Sequence, residues 1–194
     1  MAGLSLASFV TGVVESRLLD EEQCAEVRRL TAGARDPREL ASELIRRDWL
    51  TVFQINQIYQ GKGAGLNLGP YVLLQRLGEG GMGQVYKARH KTLHRAVALK
   101  VIRKECLDNP RVRQRFRREI RAVSRLDHPN IVRALDASQV DGAWYFAMEY
   151  IDGVDLAKLV KNQGPLPVAQ ACEYIRQAAL GLQHAFERGL VHRD

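Results

Sequence analysis

Three glycines give the first chemical signal. Gly78, Gly80 and Gly83 fit G-x-G-x-x-G within Gly78-Glu79-Gly80-Gly81-Met82-Gly83-Gln84-Val85-Tyr86. Residues without a Cβ let the backbone close over phosphate oxygens. A dinucleotide fingerprint would open a helix directly after its third glycine. Here Gln84-Val85-Tyr86-Lys87-Ala88 reads as a strand, and so does the run from Tyr71 to Leu77 before the glycines. The pattern therefore predicts a hairpin tip over phosphates. A further strand-like run, Ala96 to Ile102, carries Lys100. On its own Lys100 reads equally well as a solvated strand end. Glu119 is the one glutamate between Glu105 and the His128-Pro129 turn. It reads either as a surface partner of Arg115 or Arg118, or as a carboxylate turned toward a sheet by the apolar face of Phe116, Ile120, Val123 and Leu126.

The elements that must position these residues follow from composition. The chain has 194 residues, a formal net charge of +7, 46% hydrophobic and 26% charged residues. These values exclude a disordered or fibrous protein. Cys24, Cys106 and Cys172 lie far apart, which speaks against a disulfide framework or a zinc site and fits a reducing compartment. No apolar run approaches membrane-spanning length, and no basic region precedes the first apolar residues as in a signal peptide. Residues 1–65 carry a net charge of −1, 66–151 of +8 and 152–194 of 0. Gly61-Lys62-Gly63-Ala64-Gly65 reads as a flexible linker. A helical domain over 1–60 is expected before it. Helix starts are predicted at Leu6, at Asp20 with Gln23, at Asp36-Pro37 with Glu39, and at Thr51 with Gln54. A weak repeat of period 31 aligns Leu18-Leu19-Asp20, Gln23 and Val27 with Trp49-Leu50-Thr51, Gln54 and Ile58. This segment reads either as a structural cap or as a protein-interaction module.

The middle segment resembles the protein kinase family. Gly78-x-Gly80-x-x-Gly83-x-Val85 matches the kinase glycine loop, and Val97-Ala98-Leu99-Lys100 matches its V-A-I-K strand with one conservative change. The wording from Leu77 to Ala88 is similar to bacterial serine/threonine kinases. The resemblance implies an α+β fold: an N-lobe of a five-stranded antiparallel sheet with helix αC over 66–151, then the first helices of a C-lobe over 152–194. It implies ATP as substrate, with Lys100 on the α- and β-phosphates and Glu119 of αC fixing Lys100. A lysine suits this role as a compact point charge on a long stem. Trp144 to Ile151 resembles the strand and hinge between the lobes. Met148 would then stand behind adenine, the backbones of Glu149 and Ile151 would bond its edge, and Leu77, Val85 and Ala98 would enclose it. Asp155 would hold the ribose or cap the next helix. His192-Arg193-Asp194 matches the start of the H-R-D catalytic loop, with Asp194 the base that orients the substrate hydroxyl.

The implied function is transfer of the ATP γ-phosphate to Ser or Thr hydroxyls of a protein substrate. Mg2+ is the implied cofactor, with its ligands expected past Asp194 and no metal ligand named in this chain. The 194 residues alone are expected not to transfer phosphate, and a helix over 168–188 is expected to expose apolar surface. A cytoplasmic location is expected. The alternative is a non-catalytic ATP-binding or scaffolding fragment acting through its N-terminal helices, with a protein partner there. Seven arginines between Arg111 and Arg125 raise nucleic-acid binding as a third reading. No aromatic residues interleave to stack bases, so no nucleic-acid partner is expected. A solvated helix face, or a dock for an acidic or phosphorylated segment, accounts for the cluster instead.

Overall fold

The computed structural model describes residues 5–81, 83–102 and 110–191; within the helix that begins at Pro110, the side chains of Val112, Arg115, Arg117 and Glu119 lie outside that description. The chain forms two compact units, Met1–Gly80 with Gln84–Val97, and Gly81–Gly83 with Ala98–Asp194.

The first unit opens with four helices: α1 (Leu6–Glu15), α2 (Glu21–Gly33), α3 (Pro37–Arg46) and α4 (Val52–Tyr59). Each begins where its cap residue dictates. Ser5 accepts from the Ser8 N–H at 3.1 Å. Asp20 and Gln23 form a reciprocal capping box, and so do Thr51 and Gln54. Asp36 accepts from the N–H groups of Arg38 and Glu39, with Pro37 at the first helical position where its missing N–H costs nothing. The repeat seen in the sequence is present in the backbone. α1 and α3 each span ten residues. Each is followed by a residue with positive φ, Arg17 at 52° and Asp48 at 55°. Aligned positions Val13 and Leu44, and Val27 and Ile58, are all buried.

The glycine-rich stretch expected as a linker, Gly61–Gly65, overlaps a short ordered turn. Gly63–Leu66 is a turn of 3-10 helix, and Gly63 and Leu66 are buried. A Cβ at Gly63 would lie 3.3 Å from both Ile58 and Ser16, so this glycine serves close packing rather than freedom. Asn67 then donates its Nδ2 to the Ser16 carbonyl at 2.7 Å. α1 to α4 accordingly share one compact unit with the first strands, and the unit has no break at 61–65.

Among the described residues six strands form the sheet: β1 (Asn67–Leu68), β2 (Tyr71–Gly80), β3 (Gly83–His90), β4 (Ala96–Ile102), β5 (Ala134–Val140) and β6 (Ala143–Glu149), in the order β1-β2-β3-β4-β6-β5. The strand beyond the expected five is β1, two residues paired antiparallel with Tyr71 and Val72. In β2 the base, Tyr71–Leu73, is buried and the stretch from Gln75 to Gly80 is exposed.

In the second unit, β5 and β6 pair antiparallel across Asp141-Gly142, with Val140 opposite Ala143. Both turn residues have positive φ, as a two-residue Asp-Gly hairpin turn requires. Helix α5 (Pro110–Val123) buries Phe116 beside Ile102, with Ile120, Trp144 and Phe146 packed around them. Phe116 meets Trp144 edge to face at 6.3 Å. The expected apolar face of this helix is thus present at Phe116 and Ile120, while Arg111, Arg113, Arg118 and Arg121 are exposed. Helices α6 (Leu156–Gln163) and α7 (Val168–Glu187) complete the unit. Gly181 of α7 sits under the His128–Ile131 turn: a Cβ there would lie 3.0 Å from the Asn130 carbonyl. The stripe Cys172, Ile175, Leu182 and Phe186 of α7 faces solvent.

Candidate functional site

The two arms of the predicted hairpin are β2 and β3, and the glycines lie where they meet. In the first unit, Leu77, Gly78 and Gly80 are exposed and Val85 is half-buried. A Cβ added at Gly78 or Gly80 would meet nothing within 4 Å. Packing within the protein therefore does not demand glycine at either position. The backbone at both positions is open to solvent.

In the second unit, Gly83 behaves differently. A Cβ there would run into the Val101 carbonyl oxygen of β4, so this glycine is required by the close approach of the two strands. Of the three glycines of the motif, one serves the fold and two leave their backbone open. Ala98 and Lys100 lie on β4, both half-buried, with Val97 and Leu99 fully buried between and before them. The alternation is that of a strand with one face in the core, and it turns Ala98 and Lys100 to the opposite face together. The Glu119 side chain lies outside the described residues, as do His192, Arg193 and Asp194. The pairing of Lys100 with Glu119 and the position of the Asp194 carboxylate are therefore not part of the described geometry.

The hinge residues follow β6. Met148 is half-buried beside the fully buried Ala147. The Glu149 N–H donates to the Arg133 carbonyl at 3.0 Å, and its carboxylate accepts from the Arg133 N–H at 2.7 Å. What Glu149 can present to a ligand is its carbonyl. Ile151 is 60% exposed. Asp155 is the N-cap of α6: one oxygen accepts from the Lys158 N–H at 2.8 Å, and the other pairs with Lys158 Nζ at 3.1 Å. The Lys158 backbone and side-chain bonds hold its carboxyl below the usual range. Of its two readings, the cap is the geometry present; a ribose would have to draw the second oxygen from an exposed lysine.

Among the described residues, no group of three or more His, Cys, Asp or Glu could hold a metal ion. The described residues by themselves supply no donor set that fits Mg2+. A cavity of about 670 Å3 opens between α2 and α3, lined by Leu30, Gly33, Leu40 and Arg46 among others. None of the residues named from the sequence lines it, and its charges are mixed in sign.

Sequence reasoning named Thr51 and Gln54 only as a helix start. In the structure Thr51 Oγ1 also donates to the Leu74 carbonyl at 2.6 Å, and Gln54 Nε2 to the Leu73 carbonyl at 2.8 Å. These bonds join α4 to the strand that leads into the glycines. The signal available was Gln54 itself, a polar residue in phase with the apolar Ile55 and Ile58.

Comparison with known proteins shows the family. The family description "protein kinase domain" matches residues 71–194. The serine/threonine-protein kinase PknD of Mycobacterium tuberculosis is 43% identical over 130 residues, covering 67% of this chain and 20% of that protein. The serine/threonine-protein kinase pkn3 of Myxococcus xanthus is 42% identical over 119 residues, covering 61% of this chain and 22% of that protein. The chain thus spans about a fifth of the length of these curated relatives. Among solved structures, the kinase domain of Mycobacterium tuberculosis PknI is similar with a TM-score of 0.58 and 34% identity, covering 67% of this chain and 53% of that one.

Proposed function

Because this chain belongs to the protein kinase family, we propose that it supplies the ATP-binding portion of a serine/threonine kinase that passes the ATP γ-phosphate to protein hydroxyls. The observation that carries the reading is the hairpin of β2 and β3: two glycines whose backbone is open without internal cause, in a motif shared with Lys100 on β4.

The roles proposed at each position are those the family resemblance implies. The backbone at Gly78 and Gly80 lies along the phosphates. Lys100 places a point charge on the α- and β-phosphates, and Glu119 restrains it. Leu77, Val85 and Ala98 cover the adenine faces, with Met148 behind the ring. The Glu149 carbonyl accepts from the adenine amino group, and the Ile151 N–H donates to the ring. Asp155 meets the ribose when it releases Lys158. Asp194 accepts the proton of the substrate hydroxyl as that oxygen attacks the γ-phosphorus, and the bond from this phosphorus to the β,γ-bridging oxygen breaks to release ADP. Catalysis of this kind is positioning plus charge stabilisation. Mg2+ neutralises phosphate charge in the family, and its ligands lie outside the residues described.

Equilibrium titration of the chain with ATP tests the reading. Saturable binding is expected, weakened about tenfold or more by Lys100→Ala, since charge-assisted bonds contribute about 1.5–3 kcal/mol. Absence of saturable binding, or unchanged affinity in the variant, would overturn it.

A further inference from the structure

Helix α4 lies outside the matched span 71–194, yet its first turn is bonded to the strand that leads into the glycines. We propose that α4 clamps the base of the glycine hairpin, and that Thr51 and Gln54 are positioning residues for nucleotide binding. The second half of this rests on the ATP reading above; the first half does not.

The bonds are unusual for a helix cap. Thr51 Oγ1 accepts from the Gln54 N–H at 3.2 Å and donates to the Leu74 carbonyl at 2.6 Å. The Gln54 amide uses both ends: its oxygen accepts from the Thr51 N–H at 2.9 Å and its nitrogen donates to the Leu73 carbonyl at 2.8 Å. Gln54 is only 2% exposed. An amide buried to that degree is held for its hydrogen bonds. A third contact reaches the other arm, where Phe53 meets Tyr86 of β3 with ring centroids 5.9 Å apart.

The repeat supplies an internal comparison. At the aligned place in the first helix pair, Asp20 and Gln23 form the same reciprocal box. Asp20 has no proton to donate, and a capping box has no need of one. Capping alone would accept Asp at 51 and Glu at 54. What Thr51 and Gln54 add is two donors, and both are spent on β2 carbonyls.

Those carbonyls sit where the strand needs them. β1 covers only the first two residues of β2, so beyond Val72 one side of the strand has no neighbouring strand, and the carbonyls on that side require other partners. The clamp grips Leu73 and Leu74, where the buried base gives way to the exposed stretch. From Leu74 to Gly78 is about 13 Å of strand. Fixing the base thereby fixes where the glycines are held.

The test uses the full 194-residue chain with four variants. Gln54→Glu and Thr51→Asp keep the cap and remove one donor each. Thr51→Ser keeps the donor. Gln23→Glu makes the same change in the first repeat, away from β2. Amide hydrogen exchange over residues 75–88 and ATP affinity are measured for each. The clamp predicts that Gln54→Glu and Thr51→Asp lose protection there and bind ATP about tenfold more weakly, the scale of one lost hydrogen bond, while Thr51→Ser and Gln23→Glu match the parent. Unchanged protection in Gln54→Glu, or an equal loss in Gln23→Glu, would overturn it. So would a loss spread evenly over α1–α4, which marks general destabilisation. Lost protection with unchanged ATP affinity would overturn the positioning role. A parent chain that binds no ATP would refute the ATP reading instead, and the exchange data alone would then decide the clamp.

Discussion

Gly80 and Gly83 belong to one motif but meet different surroundings. Gly83→Ala forces a Cβ into the Val101 carbonyl, and overpacking of this kind costs about 1–3 kcal/mol. Gly80→Ala meets open space, so stability should change by less than about 0.5 kcal/mol while ATP affinity falls. Denaturant unfolding of both variants beside an ATP titration checks the pair; equal destabilisation would contradict the division of roles. The motif was legible in the sequence because its spacing is local and the strands on either side are apolar. The split of roles was not, because Val101 approaches from a different strand. Asp155 shows the same limit. Its sequence position suited either a cap or a ribose contact, and only the Lys158 bonds show that the cap is made.

At the scale of elements, the helix starts were read from Asp20, Asp36 and Thr51 because capping depends on residues three apart. The 3-10 turn at Gly63–Leu66 was not read, since three glycines in five residues look alike whether they flex or pack. Only the closeness of Ile58 and Ser16 distinguishes the two. The β5–β6 hairpin gives a test in pH. Buried Tyr145 donates to Asp136 at 3.0 Å, and burial first, then the Asp136 carboxylate, pushes its phenol up to about 12 from an ordinary 10.0. The folded state holds this proton more tightly than the unfolded chain does. The resulting stability is complete below about pH 10 and is lost as pH rises through about 12. Tyrosinate absorbance should show one phenol titrating last, and Tyr145→Phe should remove that step. A Tyr145 that titrates with the exposed tyrosines would contradict the packing of this hairpin.

At the scale of the whole molecule, the family resemblance was legible because its motifs are short and chemically specific. The attachment of α1–α4 to β2 was not, because it rests on side chain to backbone bonds across some twenty positions of sequence. The apolar stripe of α7 was legible as a period, and its exposure was expected. Ile175 is 66% and Phe186 65% exposed. Leu182→Gln with Phe186→Lys should lower binding of an apolar dye and reduce aggregation, with stability changed by less than about 0.5 kcal/mol. A loss above about 2 kcal/mol would show that the stripe is packed in solution. The central proposal is that this chain binds ATP through the residues its kinase motifs name. Amide hydrogen exchange with and without ATP tests it most directly: protection should rise over residues 77–86 and 147–151 and stay constant over α2 and α3, whereas no change in those two segments, or protection confined to the α2–α3 cavity, would contradict it.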